Sequence, residues 1–247
     1  MNFLDIPTPT TRRTYARNLI QVAVCELRFP SLLDVERGVP AKFEQAIKSE
    51  FPRYEKRASV DVDLLRASTK RGANAHTFQS KDKKWIVTLR PSSLVLETVA
   101  YSRFEDFAAR HSRSVGALKK ILEADFVTRV GLRYVNGFPR FDDLDGWLNP
   151  ELGTAILSGQ LGNLSHAWQI AQGQADERTH YILQHGLQQA VDGHQRYMVD
   201  IDSYIEDVDL LDIARRLGEL HALVGRIFEW AIGSRAREYM STQELLR

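Results

Sequence analysis

The run from Trp85 to Asn136 limits the fold more than any other part of this 247-residue chain. It opens with W-I-V-T-L-R, turns at Pro91-Ser92-Ser93 and returns as L-V-L-E-T-V-A-Y, two apolar segments joined by turn residues. The alternation puts Trp85, Val87 and Leu89 on one side of the first strand and Ile86, Thr88 and Arg90 on the other. In the returning strand Val95, Glu97, Val99 and Tyr101 share a side. Ser102-Arg103-Phe104-Glu105 has the spacing of a capping box. The apolar positions that follow, Phe104, Phe107, Ala108, His111, Val115, Leu118, Ile121 and Leu122, repeat near the helical period, which predicts a helix lying on the sheet. Val127 to Asn136 alternates again and completes a strand, turn, strand, helix, strand unit.

The flanks fit the same plan. Met1 to Arg17 has two prolines and no period, and reads as an extended arm available for assembly. L-I-Q-V-A-V-C-E-L-R-F from Leu19 is a strand whose wholly apolar side, Ala23, Cys25, Leu27 and Phe29, is assigned to the core. Pro40 starts a short helix with Phe43, Ile47 and Phe51, which Pro52 ends. Val60 to Leu65 reads as a half-exposed strand, Arg66 to Ala75 as a polar hairpin loop, and His76 to Gln79 as the next strand. Beyond a punctuated loop near Gly137 to Gly146 come a short helix from Trp147 and three strands with short connections. A strongly amphipathic helix from Leu210 to Ile232 follows, broken at Gly233. Runs of strands divided by few helices indicate an α+β fold. We expect mostly antiparallel sheet covered on one side by helices, organised as an arm (1–17) and two loosely similar halves (18–141 and 142–247) packed into one body.

Composition narrows function by exclusion. Thirty-three Lys and Arg against 32 Asp and Glu leave a net charge of +1, so nucleic-acid or nucleotide binding has no support from overall charge and needs a local patch. One such segment is Lys70-Arg71 with Lys81, Lys83 and Lys84 around Phe78 and Trp85, which a solvated hairpin tip explains equally well. Cys25 is the only cysteine, which excludes an intrachain disulfide and suits a cytoplasmic protein. No long uncharged apolar window suggests a membrane span. Phosphate-loop and dinucleotide glycine motifs, the nucleophile elbow and zinc-type histidine spacings do not occur, so no catalytic residue, metal ligand or cofactor is assigned.

What remains is charge placed on strands. Glu26 and Arg28 alternate in one strand, Arg90 closes another, Glu97 lies in its partner, and Arg129 and Arg133 alternate in a third. If these strands are neighbours, the side chains converge on one sheet face that could grip a phosphate or carboxylate, with Tyr101 and Asn136 as orienting donors. A structural ion-pair network is the competing reading of the same residues. Two Asp-x-Asp pairs, Asp61/Asp63 and Asp200/Asp202, have the form of a magnesium site, although an exposed strand is polar at alternate positions by default. His166, His180, His185 and His194 gather in sequence, and His166 and His180 could face each other across a hairpin.

The segments V-C-E-L-R-F, F-P-R-Y-E-K-R, W-I-V-T-L-R, L-E-T-V-A-Y-S-R-F-E-D-F and T-R-V-G-L-R-Y-V-N resemble, in this order, a sporadically distributed prokaryotic family of about this length to which no activity is assigned. A looser match lies in L-H-A-L-V-G-R-I-F-E-W-A-I. The patchy distribution implies an accessory role at defence or mobile-element loci. The charged face also resembles that of triphosphate-tunnel enzymes, whose first strand carries Glu-x-Glu-x-Lys. Only Glu26-Leu27-Arg28 stands here, without the further acid that would help hold a metal. The expected function is a non-enzymatic binding or interaction protein with a protein partner or as a homo-oligomer, a component of a defence or toxin-neutralising locus. The alternative is an enzyme or sensor that binds a phosphorylated ligand, a nucleotide or RNA, on the charged face.

Overall fold

The computed structural model describes residues 5–6, 15–63, 68–138, 144–152, 162, 164–189 and 195–241, with backbone alone for 57–63, 68–73 and Gln189. In chain order the elements are β1 (Ile20–Arg28), α1 (Leu33–Arg37), α2 (Ala41–Ile47), β2 (Arg53–Asp63), β3 (Ser68–Gln79), β4 (Trp85–Arg90) and β5 (Ser93–Thr98). They continue with α3 (Phe104–Leu118), β6 (Phe126–Gly137), β7 (Ala167–Gln174), β8 (Thr179–Gln189), β9 (Gln195–Asp209), α4 (Ile213–Ala231) and α5 (Ser234–Ser241). The strands form one nine-stranded antiparallel sheet in the order β2-β3-β4-β5-β1-β6-β9-β8-β7. With five helices among the described residues, the fold is α+β. No described helix is long and apolar enough to cross a membrane.

The chain divides into two compact units. One comprises Val24–Gly131 and Ile205–Leu217. Its β4 and β5 form the expected hairpin, Trp85 opposite Thr98 and Arg90 opposite Ser93. Val87, Leu89, Leu94 and Leu96 are fully buried on one side, while Ile86, Thr88, Val95 and Glu97 are half-buried on the other. Cys25, Leu27 and Phe29 extend the buried side, and the Phe29 amide donates to the Ser92 carbonyl at 3.1 Å. Phe43 of α2 packs on Phe78 with ring centroids 5.8 Å apart, and Phe107 of α3 on Trp85 at 6.0 Å. Arg110 of α3 lies 4.4 Å over the Trp85 ring and bonds Glu50, which also accepts from Arg113 Nη1 at 2.9 Å. The helix is thus fixed by an aromatic contact and a shared carboxylate.

Three local expectations for this unit change. The segment read as a loop between Arg66 and Ala75 is largely strand: β3 begins at Ser68 and pairs with β2 through Asp61↔Lys70 and Ala58↔Asn74. The strand read from Val60 begins at Arg53. Ser102 does not form a capping box, because the extended N-cap residue is Arg103. One position too early, the serine hydroxyl instead donates to Asp106 Oδ2 at 3.2 Å, as Arg103 Nε does at 2.9 Å. Glu105 and Asp106 still put negative charge against the amides of the first turn.

The other unit comprises Met1–Ala23, Leu132–Tyr204 and Gly218–Arg247. Leu132, Tyr134 and Phe138 of the β6 segment, Tyr197, Val199 and Ile201 of β9 and Leu220, Val224 and Ile227 of α4 are all buried, and the Phe138 and Tyr197 rings stand 6.3 Å apart. The Phe138 amide donates to the Tyr197 carbonyl at 3.0 Å. The break at Gly233 is steric: a Cβ there would lie 2.1 Å from the Gly146 carbonyl oxygen, and Gly146 itself has φ +71°. The base of the N-terminal arm is not free. Tyr15 Oη donates to Glu229 Oε1 at 2.7 Å, and Arg17 Nε donates to the Tyr239 carbonyl at 2.6 Å with its guanidinium 4.0 Å over the Tyr239 ring. Residues 1–4 and 7–14 of the arm lie outside the described residues, as does most of the segment after the short turn Pro150–Leu152 where a helix was expected.

Candidate functional site

β1 and β6 supply the tightest part of the charged face. Glu26 Oε2 accepts from Arg28 Nε at 2.9 Å and from Arg129 Nη1 at 2.7 Å, so one carboxylate holds two guanidiniums. Arg28 leaves 56% of its side chain in solvent, whereas Arg129 is only 15% exposed. Gly131 explains how Arg129 lies so low: a Cβ at Gly131 would sit 3.0 Å from Arg129 Nη1 and 3.1 Å from Cζ. The glycine leaves the guanidinium room to lie flat on the strand. A half-buried cation of this kind is stable only when its charge is matched, and Glu26 matches it.

Arg90 and Glu97 point to the same side of their hairpin but do not meet. Glu97 stands opposite Ile86, four positions along β4 from Arg90, which at about 3.3 Å per residue is roughly 13 Å. Neither makes a side-chain hydrogen bond or ion pair among the described residues. Tyr101 follows the end of β5, and its ring packs 6.0 Å from buried Phe107 on the core side.

Arg133 and Asn136 belong to the other unit. Arg133 holds Asp200 with both prongs, Nε to Oδ1 at 2.8 Å and Nη2 to Oδ2 at 2.5 Å, the geometry of a strong guanidinium–carboxylate pair. Asp200 is 8% exposed, so most of its solvation is replaced by this one partner. Asn136 lies three residues further along the strand, an odd spacing that turns it to the buried side. There its Nδ2 donates to the Val199 carbonyl at 3.1 Å and the Tyr134 carbonyl at 3.4 Å, a structural use of the amide.

The eight candidates therefore fall into four groups: Glu26 with Arg28 and Arg129; Arg133 with Asp200; Arg90 and Glu97, each alone; and Tyr101 and Asn136, committed to the core side. Asp200 was read only as half of an acidic pair. The side chains of Asp61 and Asp63 lie outside the described residues.

The histidines separate as well. In the β7–β8 hairpin Gln174 stands opposite His180 and Ala167 opposite Leu187, so His166 and His180 occupy opposite ends and do not face each other. His166 neighbours Trp168 at 6.2 Å, and His180 stacks on Tyr204 at 5.0 Å. His185 is buried with its Nδ1 2.7 Å from Tyr197 Oη. Burial pushes the imidazole below and the phenol above their ordinary pKa values, so both stay neutral and share a buried hydrogen bond. His194 lies outside the described residues, among which no three His, Cys, Asp or Glu side chains gather as a metal-binding group. In chemical terms one unit offers guanidinium N–H groups at Arg28 and Arg90 and the other at Arg133, and Arg28 and Arg133 are already engaged by the chain's own carboxylates. In comparisons with known proteins, the chain matches no protein-family model and no curated protein.

Proposed function

We propose that this chain is a non-enzymatic interaction protein, an accessory component of a prokaryotic defence or toxin-neutralising locus, that works by joining an open edge of its sheet to a protein partner. One observation carries the reading. Among the described residues the sheet ends on β7, A-W-Q-I-A-Q-G-Q, eight residues without a charge or a proline. Sheet edges are commonly blunted by charge, proline or bulges because their free amides and carbonyls pair with any extended chain they meet. The opposite edge, β2, has six charged residues in eleven: Arg53, Glu55, Lys56, Arg57, Asp61 and Asp63. β7 lacks that protection and exposes 66% of Ile170.

The resemblance to a patchily distributed prokaryotic family supplies the accessory role. The single, buried cysteine accords with a cytoplasmic setting. The same reading takes the helices to cover one side of the sheet and the two halves to be loosely alike. Its support is the alternation in β4 and β5, whose buried residues face Phe107 while the other set stays half in water. The test is the mass of the native assembly recovered from the host cell under gentle conditions. A complex larger than one chain is expected, and a solitary monomer removes the proposal.

A second reading is favoured by Arg90, half-buried and without a carboxylate partner among the described residues, and by the exposure of Arg28. These could take a phosphorylated ligand, a nucleotide or RNA, on the charged face. Titration with nucleoside triphosphates and a short RNA checks it: Arg28→Ala combined with Arg90→Ala must abolish binding while the fold is kept.

A further inference from the structure

Resting on the reading of β7 as a docking edge, we propose that its occupant is a second copy of this chain, paired β7 to β7 in antiparallel fashion about a twofold axis. Two copies of an uncharged strand bring no like charges face to face, whereas a charged segment would leave its ions next to the apolar Ile170. A two-fold arrangement also closes on itself. Joining β7 of one copy to the charged β2 edge of another would instead be heterologous and open-ended.

Symmetry fixes which residue sits at the centre. A twofold perpendicular to a sheet keeps each face on its own side, so a residue can pair only with one of the same parity. The axis must then pass beside a single residue, which meets its own copy. Ile170 and Ala171 stand nearest the middle of β7. Only Ile170 gains from being there: it points to the side of His180 and Ile182 rather than the buried side of Leu183 and Leu187, and among the described residues of this unit it is the large hydrophobic left most in water. With Ile170 on the axis, Trp168 of each copy stands opposite Gln172 of the other. The contact covers two exposed isoleucines and pairs the outward amides and carbonyls of both edges, which meet no further strand among the described residues. A ladder of eight residues is small against the roughly 1,200–2,000 Å² of standard interfaces, so the association expected is micromolar rather than nanomolar.

Sedimentation equilibrium of the purified full chain between about 1 and 200 μM, a range bracketing micromolar affinity, tests the proposal. The wild type is expected to pass from monomer to dimer, and Ile170→Lys, which sets two cations against each other on the axis, to weaken dimerisation at least tenfold with an unchanged circular dichroism spectrum. Ile170→Cys supplies a readout that does not depend on the lysine variant folding. Residues directly opposite have Cβ atoms about 4.5–5.5 Å apart, close to disulfide reach, so mild oxidation is expected to give a covalent dimer. The only native cysteine is buried Cys25, which makes the cross-link diagnostic. A wild type that stays monomeric up to about 200 μM, or an Ile170→Lys variant that dimerises as well as the parent, overturns the self-pairing. If the purified chain is monomeric while the host-derived assembly is larger, only the identity of the occupant fails; if both are monomeric, the interaction reading fails too.

Discussion

His111 gives the sharpest test of the packing described above. It sits on the inner side of α3, 3% exposed, and its Nε2 is buried without a hydrogen-bond partner among the described residues. Burial holds the imidazole at about 4, against an ordinary value of 6.5. Because the folded value is the lower one, the unfolded chain takes up the proton first as pH falls. The stability associated with a neutral His111 is therefore complete above about pH 6.5 and is lost as pH drops towards 4. At about 1.36 kcal/mol per pKa unit the full loss is roughly 3 kcal/mol, of which roughly 2 kcal/mol falls between pH 7 and pH 5. His111→Leu removes both the titration and the unpartnered nitrogen, whose burial costs about 1–3 kcal/mol. The variant is expected to match or exceed the parent at pH 7 and to lose roughly 2 kcal/mol less on going to pH 5. In urea, with a slope near 2 kcal/mol per molar, that difference is about 1 M in midpoint. His185, also depressed by burial, pushes both proteins the same way and cancels in the comparison. Equal pH dependence in parent and variant would falsify the claim that His111 is dry and neutral.

Glu26→Ala takes a close carboxylate from the poorly exposed Arg129 and is expected to cost about 1–3 kcal/mol in chemical denaturation, whereas Arg28→Ala, at a largely solvated site, should cost under about 1 kcal/mol; equal costs would contradict the pairing described. Tyr197→Phe keeps the ring but leaves His185 Nδ1 without its partner, and a loss of about 1–3 kcal/mol is expected from the same denaturation curves. Gly233→Ala places a methyl group against the Gly146 carbonyl and should lower stability by about 1–3 kcal/mol, measured as a fall in melting temperature; an unchanged value would mean the α4–α5 turn yields freely.

The parts of the fold legible in the sequence were those where local pattern and tertiary burial agree. β4 and β5 alternate strictly, are joined by Pro91-Ser92-Ser93, and bury Val87, Leu89, Leu94 and Leu96 as their parity indicates. β1 likewise buries Ala23, Cys25 and Leu27. β3 was illegible for the opposite reason. Ser68 to Asn74 has the composition of a loop, and its strand conformation comes from the ladder with β2, a partner its own residues do not announce because they carry no apolar alternation. Ser102 shows how narrow a local signal can be: the capping-box spacing was present, but the helix starts at Phe104 with Arg103 as its cap, which leaves the serine one position too early.

The charged face divides along the same line, and register is the deciding quantity. Glu26 and Arg28 are two apart on one strand, so their meeting requires nothing beyond the strand itself, and the sequence contained it. Asn136 could have been struck from the face by counting, since three residues from Arg133 on an unbroken strand is the other side. Asp200 could not have been paired with Arg133, 67 residues away, without knowing that β6 lies beside β9. Alternation tells which side a charge takes; only the offset between strands tells whether it meets its opposite. Arg90 and Glu97 share a face and carry opposite charges, yet the tight turn at Pro91-Ser92 sets Arg90 opposite Ser93 and leaves Glu97 four positions further along the ladder. A pair that composition and parity both allow is thus excluded by the length of one turn. The same register that neutralises Arg129 and Arg133 within the chain leaves Arg90 as the described face arginine with no acid of its own.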